Sequence, residues 1–267
     1  AIESKIDLAL ANKESLVCAG QFIIPLAHKN KVNIYPIDSE HSALYQLLHR
    51  RWKRPISYSY ITASGGPFWD YDKQRLSKVT FKQAIKNPNW KMGEKVSVDS
   101  ATLINKAYER LEAYWLFNKM KVNALVQRKS LIHAFVQLDN NQLIVDSAKA
   151  DMHWSIKLAL NKYTCEDNNM KQYKTIEDVP YKLISLRHKY LKGYKYAHEM
   201  LKHPTGPLPI IINAADEEAI RMYKNKKIKF LDIYKVIDKS INVFKDYKVD
   251  KLDDVYKLDA LVRKQCK

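Results

Sequence analysis

Glycine is scarce in this sequence: six among 267 residues, at positions 20, 65, 66, 93, 193 and 206. No GxGxxG-type turn can be drawn from that spacing, so these residues include no glycine-rich seat for a dinucleotide pyrophosphate. Cysteine is scarcer. Cys18, Cys165 and Cys266 are odd in number, far apart and free of CxxC spacing. That excludes a disulfide framework or a cysteine-held zinc and points to a reducing compartment. No apolar run reaches the ~18 residues of a membrane-spanning helix, and no signal-peptide pattern opens the chain. The expectation is a soluble protein that engages no membrane. Acidic residues are also few, 29 against 46 Lys and Arg, for a formal charge of +17. Such a balance raises the question of a polyanionic partner. The lysines are spread along the whole chain, however, which fits a solvated surface better than a nucleic-acid face.

What is present reads as a globular α/β chain. An apolar content of 46% argues against disorder, and the length suits one large domain or two small ones. "DLAL" predicts a short buried strand, followed by a helix over "NKESLVCAGQFIIPLA" capped by Asn12 or one of its neighbours. "KVNIYPIDSEHSALYQLL" repeats the scheme, with a strand through Val32, Ile34 and Ile37 and a helix from Ser39. "ISYSYITASGGPF" gives a third strand. Alternating strands and helices predict a parallel sheet, with ligands collecting at the carboxyl ends of its strands. Alternating Val96 and Val98 predict a fourth strand, feeding a helix from Ala101 to Trp115. "SLIHAFVQLDNNQLIVDS" predicts a β-hairpin, and residues 161–181 a polar linker. Apolar spacing at Ile233, Val236, Ile237, Ile241 and Phe244, and at Val255, Leu258, Leu261 and Val262, predicts terminal helices. Asn213 is expected to cap the helix "NAADEEAIRMY". Because Ala1 falls inside a βα unit, the chain is expected to be a fragment of a longer protein.

Chemistry concentrates at the predicted strand ends. Asp38 and Glu40, two apart, place two carboxylates on one face; they repel unless a proton or cation sits between them. Hard oxygens of this kind suit Mg²⁺ or Mn²⁺, although, taken alone, the pair is better explained as an ordinary Asp/Ser helix cap. Asn105, Lys106 and Glu109 share a helix face, as either a surface ion pair or part of a site. Ser100 at the predicted helix start and Ser64 beside Gly65-Gly66 add hydroxyls where backbone N–H groups attract anions. Serines, an amide and a lysine form a candidate phosphate cradle.

The stretches "ANKESLVCAG", "PIDSEHSALYQ", "TASGGPF", "NPNWKMGEKVSVDSATLINKAYERLEAYWLF" and "INAADEEA" together resemble the 1-deoxy-D-xylulose 5-phosphate reductoisomerase family, over nearly the whole chain. The resemblance implies an enzyme that uses NADPH and a divalent metal to turn that sugar phosphate into 2-C-methyl-D-erythritol 4-phosphate, a step of isoprenoid synthesis. It implies Asp38, Glu40 and Glu109 as metal carboxylates, with Lys13 joining them in the chemistry. Around the substrate it implies Ser39, Ser64, Asn87, Trp90, Ser100, Asn105 and Lys106, and beside the cofactor Asn12, Lys13, Glu14, Met92 and Met152. Trp90 would belong to a mobile loop that closes over the substrate. The implied architecture is an α/β remnant of a Rossmann-type parallel sheet (1–37), an α+β catalytic domain (38–161), a linker (162–185) and a C-terminal helical domain (186–267). A homodimer is implied, in the bacterial cytoplasm or a plastid-type organelle.

The sequence departs from the family pattern at named places. Asn87 stands where the family has His, Gln127-Arg128-Lys129-Ser130 where it has His-Pro-Gln-Ser, and Ala107 where it has Gly. Two other readings therefore stay open: a reductoisomerase-like scaffold with impaired catalysis and no cofactor binding, and a basic polyanion-binding protein. The remaining conspicuous residues are expected to pack. Cys18 should be a buried thiol, His133 a satisfied histidine in a strand, His41 a neighbour of the carboxylates, and Trp52, Trp69, Trp115 and Trp154 packing groups.

Overall fold

A computed structural model describes residues 1–49, 53–87, 89–90, 92–163 and 182–267. In chain order the first elements are β1 (Leu8–Leu10), α1 (Lys13–Asn30), β2 (Ile34–Pro36), α2 (Ser39–His49) and β3 (Ile56–Ala63). Then come α3 (Lys73–Leu76), α4 (Phe81–Ala84), α5 (Glu94–Thr102), α6 (Ile104–Leu116), β4 (Asn123–Val126), β5 (Ile132–Leu138) and β6 (Leu143–Ser147). The chain closes with α7 (Met152–Leu160), β7 (Ile184–Ser185), α8 (Lys195–Lys202), α9 (Leu208–Lys224), α10 (Asp232–Phe244) and α11 (Leu252–Cys266). These elements form two compact units. One comprises Ala1–Ala11, Ala27–Ser64 and Lys121–Leu186, the other Asn12–Leu26, Gly65–Met120 and Arg187–Lys267.

The first unit holds the strands. β1 and β2 pair in parallel as a two-stranded sheet, and a second sheet runs β6-β5-β3-β4-β7. Only β3 and β4 are parallel there; β5 pairs antiparallel with both β3 and β6, and β7 antiparallel with β4. The parallel relation expected of the βα strands holds for β1–β2 and β3–β4, and β5, β6 and β7 join antiparallel to make the second sheet mixed. Pairing is set by tertiary contact, and two of the partners, β4 and β7, are too short to announce themselves. The hairpin is as expected, with Asn141 taking a positive φ at its turn. α2 covers β5. Ile132 and Phe135 anchor a cluster with Tyr60 and Leu125, and Tyr60 stacks on Phe135 at 4.5 Å.

The second unit is helical. Asn12 caps α1 as expected, its Oδ1 accepting the Ser15 N–H at 3.1 Å. The core is aliphatic: Ile210, Ile211, Ile212, Ile233, Ile237, Leu258 and Val262 are all fully buried, each worth roughly 1.5–3 kcal/mol over exposure. α9 does not begin at Asn213. Pro207 and Pro209 open it, where a missing N–H costs nothing, and Asn213 lies buried mid-helix with its amide on Glu217 at 3.2 Å. α10 and α11 match the predicted spacing. Residues 164–181, most of the expected linker, and Trp52 and Cys165 lie outside the described residues. None of the described helices is long and apolar enough to cross a membrane.

Candidate active site

The polar junction around Ser100 is not a strand feeding a helix. Glu94–Thr102 is helical, and its Ser97, Val98, Asp99, Ala101 and Thr102 are all buried. An enclosed helix needs apolar or satisfied groups on several sides, so the three-residue alternation Val96-Ser97-Val98 carried no strand signal. α5 passes into α6 through one residue, Leu103, in the left-handed conformation at φ 66°. Ser100 therefore sits in the last turn of α5, and the helix start belongs to Ile104, with Asn105 and Lys106 in its first turn. The carbonyl of Thr102, which loses its helical partner at this break, accepts the Gly193 N–H at 3.1 Å and the Tyr234 hydroxyl at 3.0 Å. Gly66, at φ +68°, runs so close that an added Cβ would meet the Ser100 carbonyl oxygen at 2.7 Å. A loop backbone thus lies directly against the residue carrying the candidate serine.

Glu109 is the centre of this unit's polar interior. It is 1% exposed, with Lys106 at 4% and Lys13 at 7%. Lys13 Nζ donates to Glu109 Oε1 and to Asn105 Oδ1, each at 3.0 Å. Asn105 Nδ2 also donates to Glu109 Oε1, and Lys106 Nζ to Glu109 Oε2. A surface ion pair would be worth a few tenths of a kcal/mol. Here two ammoniums and an amide hold one buried carboxylate, so losing any one of them leaves a desolvated group. The i,i+3 and i,i+4 spacing on α6 brings Asn105 and Lys106 to Glu109, and the Asn12 cap delivers Lys13 from α1.

A second buried network borders the first. Lys95 Nζ lies 2.8 Å from Glu14 Oε1 and 2.9 Å from Asp99 Oδ2, and stands 4.7 Å from the Tyr108 ring centre. Tyr108 Oη donates to Asp216 Oδ2 at 3.1 Å. Burial, then the negative charge of Asp99, pushes the Asp216 carboxyl well above the usual range. Burial pushes Glu14 up as well, but Lys95 outweighs it and the net shift is downward. Lys95 itself is raised: burial opposes its charge, and Asp99, Asp216 and Glu14 more than restore it. Sequence reasoning missed Lys95, Tyr108 and Asp216. The i,i+4 pair Lys95–Asp99 is visible once α5 is known to be a helix, whereas nothing local marks Asp216.

In the strand-bearing unit, Asp38 precedes α2, its carbonyl accepting the Ser42 N–H at 2.8 Å. It is the helix cap, and it is also one of a carboxylate pair. Oxygens of Asp38 and Glu40 lie within 4.8 Å of each other. They converge because the chain enters a helix there, not through a strand period of two. Ser39 Oγ donates to Glu40 Oε2 at 2.6 Å. His41, fully buried, places Nδ1 3.8 Å from Asp38 Oδ2. The Ser64 carbonyl accepts from Arg128, and Gln127 Oε1 accepts the Leu131 N–H at 3.0 Å, so two of the residues that depart from the family pattern are tied into the frame. His133 is satisfied, its Nε2 meeting the Ala148 carbonyl at 3.1 Å. Met152 opens α7 behind the Asp151 cap. In the helical unit, Asn87, Trp90 and Met92 are all half-buried. Cys18 is partly buried, and burial pushes its thiol up to about 12.

Two family models match: the 1-deoxy-D-xylulose 5-phosphate reductoisomerase C-terminal domain over residues 34–117, and the DXP reductoisomerase C-terminal domain over residues 148–265. A curated relative, the 1-deoxy-D-xylulose 5-phosphate reductoisomerase of Malacoplasma penetrans, is 39% identical across 99% of this chain and 70% of its own length. The enzyme of the same name from a Thermoanaerobacter species is 38% identical with the same coverage. Among solved structures, the reductoisomerase of Zymomonas mobilis in complex with NADPH superposes with a TM-score of 0.88 at 31% identity, covering 100% of this chain and 69% of that one. Another, in complex with NADPH, fosmidomycin and magnesium, gives 0.87 at 28% identity, covering 99% and 70%. The class these matches define is that of α/β oxidoreductase-isomerases. Within it, the chain belongs to the 1-deoxy-D-xylulose 5-phosphate reductoisomerase family.

Proposed function

We propose that this chain carries the substrate- and metal-binding machinery for converting 1-deoxy-D-xylulose 5-phosphate into 2-C-methyl-D-erythritol 4-phosphate. The observation that supports this most is the buried Glu109 held by Lys13, Asn105 and Lys106. Such a carboxylate costs too much to bury without a task or a full set of partners. Asp38, Glu40 and Glu109 are the residues to hold the divalent cation; their hard oxygens fit Mg²⁺ or Mn²⁺. When bound, the cation supplies Lewis acidity and NADPH supplies the hydride.

The chain's own residues do the rest. Ser64, Ser100, Asn105 and Lys106 bind the phosphate end of the substrate, and Ser39 fixes its hydroxyls. Lys13 holds Glu109 in place and offers an ammonium beside the reacting oxygens. Trp90 and its neighbours exclude water. Asn12, Lys13, Glu14, Met92 and Met152 face the nicotinamide end of the cofactor, whose pyrophosphate finds no glycine-rich turn among these 267 residues. The working arrangement is a homodimer. Supporting it, Leu143 and Val145 on the edge strand β6, and Tyr58 on β3, are exposed at 53%, 39% and 55%. Location in the bacterial cytoplasm accords with the bacterial relatives. Kinship at this level favours the enzyme over a scaffold or a polyanion binder.

Calorimetric titration of the sugar phosphate into this chain, with and without Mn²⁺, tests the reading. Metal-dependent binding that Glu109→Gln weakens at least about tenfold, the ~1.4 kcal/mol of one charged contact, is expected. Binding that ignores both the metal and the substitution overturns it.

A further inference from the structure

Asn87 stands where the family pattern has histidine, and its hydrogen bonds give it a specific task. Its Oδ1 accepts the backbone N–H groups of Asn89 at 3.0 Å and Trp90 at 3.1 Å. Backbone N–H groups can only donate, so the oxygen must face them and the NH₂ must face away. That NH₂ donates to Ser100 Oγ at 3.1 Å. The orientation of the amide is therefore fixed by chemistry and not by choice. Once Ser100 Oγ accepts from Asn87, its own proton is left to donate outward, and a hydroxyl in that state recognises an anionic oxygen.

We propose that Asn87 is a positioning residue: it presets the Ser100 hydroxyl as a donor to the substrate phosphate. The proposal rests on the reading of Ser100 as a phosphate ligand. Its novelty is that the asparagine acts through Ser100 and is not a neutral stand-in touching the sugar phosphate. Of these three bonds histidine can supply one acceptor and one donor, Nδ1 taking a single backbone N–H and Nε2–H donating to Ser100. Aspartate cannot: it keeps the acceptor for Asn89 and Trp90 but takes the Ser100 proton, and it sets a negative charge beside the phosphate.

The experiment is calorimetric binding of 1-deoxy-D-xylulose 5-phosphate, and of 1-deoxy-D-xylulose lacking the phosphate, to this chain with Mn²⁺. The variants are Asn87→Ala, Asn87→Asp, Asn87→His, Ser100→Ala and the double Asn87→Ala/Ser100→Ala, each checked for an unchanged melting temperature. Expected is a loss of roughly tenfold for Asn87→Ala, a larger loss for Asn87→Asp and recovery for Asn87→His, all confined to the phosphorylated ligand. The double variant should bind no worse than Ser100→Ala, because the amide works through the hydroxyl. If Ser100→Ala weakens binding while Asn87→Ala does not, or if the two losses add, the positioning role is refuted and the phosphate site stands. If Ser100→Ala itself changes nothing, the phosphate reading fails and the proposal falls with it.

Discussion

Lys95→Met is the sharpest perturbation of the frame beneath the candidate site. The ammonium lies against two carboxylates, Asp99 at 2.9 Å and Glu14 at 2.8 Å, and Asp99 is only 1% exposed. Breaking a buried pair from one side costs about 3–5 kcal/mol, because the remaining charge stays desolvated. Lys95 is itself a quarter exposed, which lets water reach the vacated space and places the cost near the lower end, about 3 kcal/mol. With a urea slope of about 3 kcal/mol/M for a chain of this size, the unfolding midpoint should drop by about 1 M. Urea unfolding followed by far-ultraviolet circular dichroism reads this directly, since Lys95, Glu14 and Asp99 all belong to the helical unit. Adding Asp99→Asn to Lys95→Met should recover most of the loss by removing the stranded charge. If Lys95→Met moves the midpoint by less than about 0.3 M, or if Asp99→Asn makes it worse, the buried-pair argument is wrong.

Three further outcomes follow from the geometry. Gly66→Ala combines a left-handed backbone with a Cβ 2.7 Å from the Ser100 carbonyl oxygen, so it should cost about 2–4 kcal/mol in the same assay; a neutral effect would mean the loop can withdraw. Asp216, whose pKa is raised from 3.8 by burial and then by Asp99, binds its proton more tightly folded than unfolded. Its contribution to stability is therefore greatest below the ordinary carboxyl range and declines as pH rises above it toward the folded pKa. Asp216→Asn should flatten that decline, and identical midpoint–pH curves for both proteins would disprove it. The Cys18 thiol, pushed up to about 12 by burial, should resist a maleimide reagent at neutral pH in the native chain and react once urea is added; rapid native labelling of Cys18, located by peptide mapping, would contradict the structure.

Where sequence and structure agree, the signal was local. The βα units built from Leu8–Leu10 with α1, and from Ile34–Pro36 with α2, carry apolar runs, a capping Asn12 and a capping Asp38 within a few residues of one another. The hairpin at 132–147 and the spacing of α10 and α11 were legible for the same reason. Failures came where distant partners decide. Val96 and Val98 alternate over too short a stretch to separate strand from helix, and it is the burial of α5 on several sides that resolves it. The antiparallel partners of β3 and β4 arrive from elsewhere in the chain. Asn213 resembled a cap because acids follow it, but the two prolines upstream had already opened the helix. Among site residues, the grouping of Asn105, Lys106 and Glu109 followed from helical spacing alone. That Lys13 joins them, and that Asp216 meets Tyr108 from another helix, required the fold.

The single left-handed residue between α5 and α6 turns that stretch into a ruler. Leu103 closes one helix and opens the next, so no slack loop separates Ser100 from Asn105, Lys106 and Glu109. One residue inserted within α6 ahead of Glu109 would swing its carboxylate about 100° around the axis and advance it ~1.5 Å, away from Lys13. Most surface loops absorb a change of length; here the count of residues is itself part of the site.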